Sequence, residues 1–453
     1  MTLLKGLHLV YNGSVERSDY AMKKLFKTLL AFSMALALCA CGPKGSDTIT
    51  GTYSMHVGGY DWGCATDKII LSLDYVLDAV AVEDFVVQET KNMTNWGQNP
   101  DVAFGEAYEG TNTLKVTKAY LCDETGAETT EASQYVALEI FVDPNTASPF
   151  IYSLATGLNS WCDPYYLTVT TAEGHSLTSA GKEVTSFTID TTAAKMTTDA
   201  DNFVEKDFTA TDGTNYSYAT YTKEGAKTLF VWLHGMGEGG TDTSITLLAN
   251  KVTALAGDDF QNTVGGAHIL VPQAETYWMN EGESMGMTGA SIYTKSLAEL
   301  IDAQKTELGA EKVVIGGCSN GGYMTMVMAM NYGTKYDAYV PICEAVLDSE
   351  IDDTELATLK GLPIYFIHAE NDTTVDPKTT SVPTYNRLVA AGAENVHTFT
   401  PANVEDTSGQ FKDADGSPYD YAGHWSWVYF DNNDTTCDEC GKTAFDWIAS
   451  IVK

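Results

Sequence analysis

Short apolar runs separated by polar turn residues fill the first part of the chain. They lie between residues 51 and 197, with Gly, Asp, Asn and Pro between them. Many short strand-like segments without a long amphipathic helix are typical of a β-sandwich. We therefore predict an all-β sandwich domain over residues 51–197. The clearest segments read DKIILSLDYVL, EDFVVQET, TLKVTKAYLCD, QYVALEIFV, YYLTVTTAEG and VTSFTID.

The pattern changes from residue 198 onwards. Two leading strands are followed by short apolar runs with helical patterns between most of them. In residues 296–309, for example, Leu297, Leu300 and Ile301 share one helical face, and Gly309 ends the helix. Strands alternating with helices predict an α/β domain over residues 198–453, with a mostly parallel sheet covered by helices. The runs are TLFVWLHG, AHILVPQ, KVVIGGCS, DAYVPICEA, PIYFIHAEND and NVHTFTP.

The N-terminal stretch MKKLFKTLLAFSMALALCACG, residues 22–42, has the pattern of a secretory signal. A basic start precedes an apolar run too short to span a bilayer well, and LCACG resembles a bacterial lipobox with Cys41 as the lipidated residue. A plain secretory signal is the alternative. We expect residues 1–21 to be a mis-assigned extension, 22–41 a lipoprotein signal peptide and 42–50 a tether. The protein would then be extracellular, held at the cell surface only by a lipid anchor.

The charge balance restricts the partners. The 453 residues carry 61 Asp and Glu against 26 Lys and Arg, a formal net charge of −35. Beyond residue 47 we find a single arginine, Arg387. Such a surface repels nucleic acid and anionic headgroups, and it offers little for a phosphate or carboxylate clamp. We expect no nucleic-acid partner.

Residues 316–322, GGCSNGG, place two possible nucleophiles side by side between an apolar strand and a helical pattern. A nucleophile on a sharp strand-to-helix turn needs small residues two positions before and after it. Around Ser319 those positions are Gly317 and Gly321, whereas Cys318 would have an asparagine on one side. We therefore predict Ser319 as the nucleophile. A lone G-x-S-x-G pattern is weak, because it also occurs in turns without chemistry.

An acid and a histidine follow in the order that this architecture requires. The loop after PIYFIH contains Glu370, Asp372 and Asp376, and we favour Asp372 as the acid. His424 lies in a Gly-flanked loop after the last predicted strand and is the candidate general base.

A glycine-rich loop, HGMGEGG, follows an early strand and can direct backbone N–H groups at a developing oxyanion. We expect oxyanion donors from Asn320 and Met236, with Gly237 as the alternate.

These motifs resemble a known family. WLHGMGEGG, GGCSNGGYMT, HAENDTTVDP and GHWSW are similar to α/β-hydrolases of the prolyl-oligopeptidase and feruloyl-esterase-like superfamily. More narrowly, YDWGCATDKIILSLD and the segment from KAYLCD onwards are similar to secreted bacterial esterases with an N-terminal immunoglobulin-like domain. The resemblance implies a triad of Ser319, Asp372 and His424. It departs at Cys64, where relatives are expected to have proline.

Aromatic side chains near predicted strand ends are candidates for the substrate pocket. We predict substrate contacts from Trp278, Tyr323 and Trp425, and from Glu344 at the end of the next strand. Simple core packing of the aromatic residues is the alternative.

Three functions are compatible with the sequence. The first is a carboxylesterase acting on a small-molecule or polysaccharide-linked ester, such as a feruloyl or other acyl ester of plant polysaccharide. The second is a prolyl-oligopeptidase-like serine peptidase, although about 150 residues are too few for the N-terminal propeller expected of one. The third is a surface binding lipoprotein with an idle hydrolase fold.

Seven cysteines follow Cys41, and export permits disulfides. Cys318 and Cys343 end two neighbouring predicted strands, so a disulfide between them is one hypothesis. For the CxxC of Cys437 and Cys440, a local disulfide or free thiols are favoured over zinc, because no second CxxC is present. We expect no metal site and no cofactor.

Overall fold

The computed structural model describes residues 48–453 except 145, 185, 414 and 438. The predicted extension, signal peptide and lipidated Cys41 lie outside the described residues. Strand β1 begins at Thr48, so residues 48–50 are not part of a tether as predicted. They pair in parallel with a later strand, Ile49 opposite Phe187 and Thr50 opposite Thr188, because the sandwich uses this segment to extend one sheet.

The N-terminal domain consists of strands in two main sheets and two hairpins. One sheet has the order β12-β1-β2-β6-β5 with β13 also beside β1, and the other has the order β4-β3-β9. The hairpins are β7-β8 and β10-β11. The strands are β1 Thr48–Tyr60, β2 Gly63–Leu77, β3 Phe85–Thr94, β4 Ala107–Leu114, β5 Val116–Cys122, β6 Ser133–Ile140, β7 Phe150–Ser153, β8 Leu158–Trp161, β9 Tyr165–Thr171, β10 Leu177–Ser179, β11 Lys182–Val184, β12 Ser186–Ile189 and β13 Lys195–Thr198.

The two sheets bury one shared core. Tyr53, Ile69 and Val136 from the larger sheet pack in the same cluster as Val87 and Leu167 from the smaller one. Alternate residues of each strand face this core because side chains alternate along a strand. The predicted β-sandwich is therefore confirmed.

The C-terminal domain is built on an eight-stranded sheet of order β14-β15-β17-β16-β18-β19-β20-β21. β14, β15 and β17 pair antiparallel, and all other pairs are parallel. The strands are β14 Val204–Thr209, β15 Asn215–Tyr221, β16 Thr228–Leu233, β17 Ala267–Gln273, β18 Lys312–Cys318, β19 Ala338–Ile342, β20 Ile364–Ile367 and β21 Val396–Phe399, with a small ribbon of β22 Val404–Glu405 and β23 Asp420–Tyr421. The helices are α1 Thr243–Leu248, α2 Asp258–Val264, α3 Thr294–Leu308, α4 Asn320–Tyr332, α5 Asp353–Lys360, α6 Ser381–Ala391, α7 Trp427–Asp431 and α8 Ala444–Val452.

Both faces of this sheet are buried. In β16, Phe230 and Trp232 join the core on one side, and Leu229, Val231 and Leu233 join the core on the other. Because both faces of this strand are buried, apolar residues are favoured at every position rather than at alternate ones. This explains the continuous run TLFVWL. The predicted α/β class with a mostly parallel, helix-covered sheet is confirmed.

The helix predicted from residues 296–309 is α3, and it ends at Gly309 with φ 66°. Leu297, Leu300 and Ile301 are fully buried, as the periodicity predicts. Within the described residues, no helix combines the length and the apolar character needed to cross a bilayer.

Candidate active site

Ser319 lies on the turn between β18 and α4. Its backbone has φ 54° and ψ −113°, a strained conformation for a residue with a side chain. A Cβ on Gly317 would lie 2.4 Å from the carbonyl oxygen of Leu233, and one on Gly321 only 1.9 Å from the same atom. Both glycines are therefore required for the strand and helix to approach β16. Cys318 instead ends β18 as a fully buried side chain.

Ser319, His424 and Asp372 form one hydrogen-bonded row. The Nε2 of His424 lies 2.8 Å from the Oγ of Ser319, and its Nδ1 lies 2.7 Å from the Oδ2 of Asp372. A carboxylate only accepts, so Nδ1 carries the proton and donates it to Asp372. Nε2 is then left with a lone pair that accepts from the Ser319 hydroxyl. The chain supplies the three residues after β18, after β20 and after β23.

Four donors hold the carboxylate of Asp372. Its Oδ1 accepts from the backbone N–H groups of Thr374 at 2.8 Å and Val375 at 3.0 Å, and its Oδ2 also accepts from His368 at 3.0 Å. Burial alone would raise the pKa of Asp372, but the hydrogen bonds from His368 and His424 outweigh it and hold the pKa well below its usual range. Asp372 is therefore an anion throughout the neutral range.

The other two acids of this loop do not reach His424. Glu370 and Asp376 are exposed, and the Oδ1 of Asp376 accepts from the backbone N–H of Lys378. His368 is a second histidine donor to the Asp372 carboxylate, a role that the sequence does not indicate. Its position directly after a buried strand and four residues before the acid is the only sequence signal for it.

The loop after β16 lies beside the turn at Ser319. Met236–Glu238 forms a single 3₁₀ turn after Gly235. His234 fixes the entry to this turn: its Nε2 accepts from the Ala274 backbone N–H at 3.0 Å, and its Nδ1 donates to the carbonyl of Gly235. Burial lowers the pKa of His234 to about 4, so the ring is neutral and supports these two bonds.

Asn320 begins α4, where the first backbone N–H groups of a helix have no partner within the helix. Its side chain is fixed, because its Oδ1 accepts from the backbone N–H of Trp278 at 2.5 Å. The backbone N–H groups of Asn320 and Met236 are thus the available candidates for oxyanion donors, with Gly237 next in the turn.

Three of the four predicted substrate contacts are wrong. Trp278, Tyr323 and Glu344 have no exposed surface, so a substrate cannot touch them in this conformation. Trp278 packs against His234 behind the candidate oxyanion loop, with ring centroids 5.0 Å apart. The hydroxyl of Tyr323 donates to the carbonyl of Ala290 at 2.7 Å. These residues support the loops of the site from inside the core.

Trp425 alone of the four is partly exposed, next to His424. Its ring lies 5.8 Å from that of Tyr421 and 6.0 Å from that of Trp427. The ring of Trp427 in turn lies edge-on to His424 at 5.8 Å. Trp425 therefore stays a candidate for substrate contact.

Glu344 is a buried acid whose titration should be visible in stability. Burial raises its pKa from 4.5 to about 8, although the Val346 backbone N–H, 2.7 Å away, opposes this. Between pH 5 and 8 the folded protein keeps a proton that the unfolded chain has lost, so stability falls as the pH rises.

We expect the free energy of unfolding of the wild type to fall by on the order of 3 kcal/mol between pH 5 and 8, relative to that of Glu344→Gln. The size follows because one pKa unit corresponds to about 1.4 kcal/mol. Urea unfolding at the two pH values measures this difference. The control is Glu350→Gln, an exposed site. Identical pH slopes in wild type and Glu344→Gln would contradict the assignment.

All seven cysteines of the described chain are free. The predicted disulfide between Cys318 and Cys343 is therefore wrong. The sulfur of Cys343 instead accepts from the backbone N–H of Ser319 at 3.2 Å, and the sulfur of Cys318 lies 3.7 Å from the Nδ2 of Asn250. Both thiols fill core positions beneath the turn.

The β7-β8 hairpin of the N-terminal domain reaches the candidate oxyanion loop, a contact that the sequence does not indicate. Asn159 donates to the carboxylate of Glu238 at 3.4 Å, and the Nε1 of Trp161 donates to Ser244 at 3.0 Å. A Cβ on Gly237 would lie 2.8 Å from Asn159 and 3.8 Å from the ring of Tyr152. One wall beside the candidate oxyanion loop thus belongs to the other domain.

Comparison with known proteins finds a family match for each of the two domains. Residues 43–185 match the esterase Ig-like N-terminal domain, and residues 217–405 match the phospholipase/carboxylesterase family of α/β-hydrolases. No curated protein sequence matches the chain.

A thermostable esterase of known structure shares the fold, with a TM-score of 0.68 and 19% identity over 89% of this chain and 100% of its own. Esterase Pf2001 of Pyrococcus furiosus gives a TM-score of 0.32 and 13% identity over 44% of this chain and 83% of its own. Est1E of Butyrivibrio proteoclasticus gives 0.31 and 15% over 45% and 89%.

Residues 217–405 belong to the phospholipase/carboxylesterase family, which makes the protein a serine hydrolase of the carboxylesterase type. The chain combines this α/β-hydrolase domain with an esterase Ig-like N-terminal domain over residues 43–185.

Proposed function

We propose that the protein is a secreted, lipid-anchored serine esterase that cleaves acyl esters, including feruloyl esters of plant polysaccharide, through a covalent acyl-enzyme. The observation that carries the mechanism is the row from Ser319 through His424 to Asp372, with distances of 2.8 and 2.7 Å. Serine needs a base to act as a nucleophile, and this row supplies one in the required tautomer.

In the first half of the reaction, the Oγ of Ser319 attacks the ester carbonyl carbon while its proton passes to the Nε2 of His424. The tetrahedral intermediate places its negative oxygen towards the backbone N–H groups of Asn320 and Met236. His424 then returns the proton to the alcohol oxygen as the bond to it breaks. Asp372 stabilises the imidazolium that exists between these two transfers.

In the second half, a water molecule replaces the alcohol. His424 takes one proton from the water as its oxygen attacks the acyl carbon, and then gives that proton to the Oγ of Ser319. The products are the carboxylic acid and the regenerated enzyme. Because every proton travels through one imidazole nitrogen, the reaction needs no further acid or base from the chain.

The substrate class rests on aromatic surface beside the candidate oxyanion loop. Tyr152 borders Gly237, and its ring stacks on Trp96 with centroids 6.3 Å apart. Trp96 in turn meets Phe104 edge-on at 5.8 Å. Trp96 is 51% exposed and Phe104 69% exposed, unusual for side chains of this size. Such faces bind sugar rings and aryl groups by stacking.

A substrate panel tests the proposal. The purified protein should hydrolyse p-nitrophenyl acetate, methyl ferulate and a feruloylated oligosaccharide, with the highest kcat/KM on the last. A prolyl p-nitroanilide peptide represents the peptidase alternative. Cleavage of that peptide alone would overturn the esterase assignment, and equal rates on all three esters would remove the feruloyl-polysaccharide specificity.

The aromatic surface gives a sharper test of substrate class. We expect Trp96→Ala combined with Phe104→Ala to lower kcat/KM for the feruloylated oligosaccharide about tenfold, since each stacked ring contributes roughly 0.5–1.5 kcal/mol. Hydrolysis of p-nitrophenyl acetate should be unchanged, because that substrate is too small to reach the surface. The control is Phe141→Ala, because Phe141 is another exposed aromatic residue of the N-terminal domain. A loss shared equally by both substrates would contradict the surface's role.

The lipid anchor rests on the lipobox-like LCACG around Cys41. We expect the full-length protein to fractionate with membranes and to incorporate labelled fatty acid in a bacterial host. Cys41→Ser should release it and abolish the label, whereas Cys39→Ser should retain both. Membrane association and labelling that survive in Cys41→Ser would contradict the anchor.

A further inference from the structure

Two cysteines and a histidine meet away from Ser319. Cys437 and Cys440 lie in the segment between α7 and α8, and His397 lies on β21, forty residues earlier than Cys437. The Nδ1 of His397 is 3.7 Å from the sulfur of Cys437, and all three donor atoms lie within 4.8 Å of one another. Two thiolates and an imidazole around a tetrahedral Zn²⁺ would place sulfur and nitrogen about 3.5 Å apart, given the usual bond lengths.

The hydrogen bonds of His397 fix its tautomer. Its Nε2 lies 3.0 Å from the Oδ1 of Asn395, and that same oxygen accepts from the indole N–H of Trp447 at 2.9 Å. An indole only donates, so the Asn395 atom is the oxygen and His397 must donate to it through Nε2. Nδ1 therefore keeps its lone pair, directed at the thiols. Metal-bound histidines are oriented by the same kind of bond from the far ring nitrogen.

The backbone around the two cysteines is arranged to support a thiolate. The N–H of Cys440 donates to the sulfur of Cys437 at 3.3 Å, and the N–H of Gly441 donates to the carbonyl of Cys437 at 2.8 Å. Gly441 takes φ 66°, which lets the chain turn back there. Cys437 is fully buried, whereas Cys440 and His397 are partly exposed. One side of the cluster is thus open for entry of an ion and for a fourth ligand.

We propose that His397, Cys437 and Cys440 form a zinc site whose fourth ligand is water. Binding Zn²⁺ displaces the two thiol protons into solvent and forms two Zn–S bonds and one Zn–N bond. Thiolate and imidazole ligands favour Zn²⁺ over harder cations. The third ligand comes from a distant strand, which is why the CxxC alone does not indicate it. The ion would tie the segment between α7 and α8 to the edge strand of the sheet.

Cobalt titration tests the site directly. Protein purified with reductant and chelator, then freed of both, should bind one equivalent of Co²⁺. The expected spectrum has thiolate-to-cobalt charge-transfer absorption in the near ultraviolet and tetrahedral d–d bands in the visible. One equivalent of Zn²⁺ should abolish both and raise the melting temperature.

Variants identify the ligands. Cys437→Ser and Cys440→Ser should each weaken Zn²⁺ binding at least about a hundredfold, and His397→Gln at least about tenfold. Cys162→Ser and His175→Gln, which lie in the N-terminal domain, are the controls and should bind as wild type does. Circular dichroism of each variant without metal reports folding. Because Cys440 and His397 are partly exposed, their variants should keep the native spectrum.

Three results would overturn the proposal. The first is Co²⁺ binding without charge-transfer absorption, which excludes thiolate ligands. The second is unchanged affinity in both Cys440→Ser and His397→Gln. The third is a disulfide between Cys437 and Cys440 that reforms in air and leaves no thiol for the ion, which thiol counting with and without reductant detects. Ester hydrolysis by the metal-free protein is a separate measurement, so failure here leaves the proposed esterase function standing.

Discussion

Ser319→Ala is expected to lower kcat for ester hydrolysis about a millionfold, as found when the nucleophile of a serine hydrolase is removed. Without Oγ no acyl-enzyme forms, and His424 has no hydroxyl to deprotonate. A residual rate of about 10³–10⁴ over water should remain, because the oxyanion donors and binding surface stay in place. Initial rates on p-nitrophenyl acetate measure the loss.

The matched control for Ser319→Ala is Cys318→Ala, one residue earlier. Cys318 is fully buried, and burial raises the pKa of its thiol well above the usual value, so it cannot serve as a thiolate nucleophile. We expect Cys318→Ala to keep kcat within a few fold. If Cys318→Ala lost activity and Ser319→Ala kept it, the assignment of the nucleophile would be reversed.

Asp372→Asn is expected to lower kcat about ten-thousandfold at neutral pH, the size seen when a triad carboxylate becomes an amide. The amide can donate to the Nδ1 of His424, which favours the tautomer that carries its proton on Nε2. That nitrogen could then no longer accept from Ser319. Because the pKa of Asp372 is held well below its usual range, wild-type activity should not fall through protonation of Asp372 anywhere near neutral pH.

Asp376→Asn, in the same loop, is the control for Asp372→Asn and should retain full activity because its side chain is exposed and bonds only within the loop. The measurement is the pH profile of kcat/KM for wild type and both variants. A loss below about tenfold in Asp372→Asn, together with a large loss in Asp376→Asn, would move the acid to Asp376.

Local pattern was sufficient for the fold class, for Ser319 and for the order in which serine, acid and histidine follow along the chain. The apolar run of β18, the glycines at 317 and 321, and the order of serine, acid and histidine each depend on short stretches of chain. Those glycines are needed because the backbone of β16 lies against them, so the packing requirement is visible in the sequence as glycine at both positions.

Local pattern failed wherever a side chain's environment comes from distant segments. The predicted substrate contacts near strand ends include Trp278, Tyr323 and Glu344, but these side chains are buried in the core. The position of a strand end in the sequence does not determine the direction in which the following side chains point. His368 looks like any packed strand histidine until the Asp372 carboxylate is placed 3.0 Å away.

The sequence by itself determined the two domain types, the strand-to-helix turn and which serine occupies it. Hydrophobic periodicity and the steric requirement for small residues around that serine both act over a few residues. Only the tertiary structure decided which acid meets His424, that an N-terminal hairpin borders the candidate oxyanion loop, and that His397 faces Cys437. Those contacts join residues 40 to 79 positions apart. Their formation depends on how whole elements pack, a property that no short window of sequence contains.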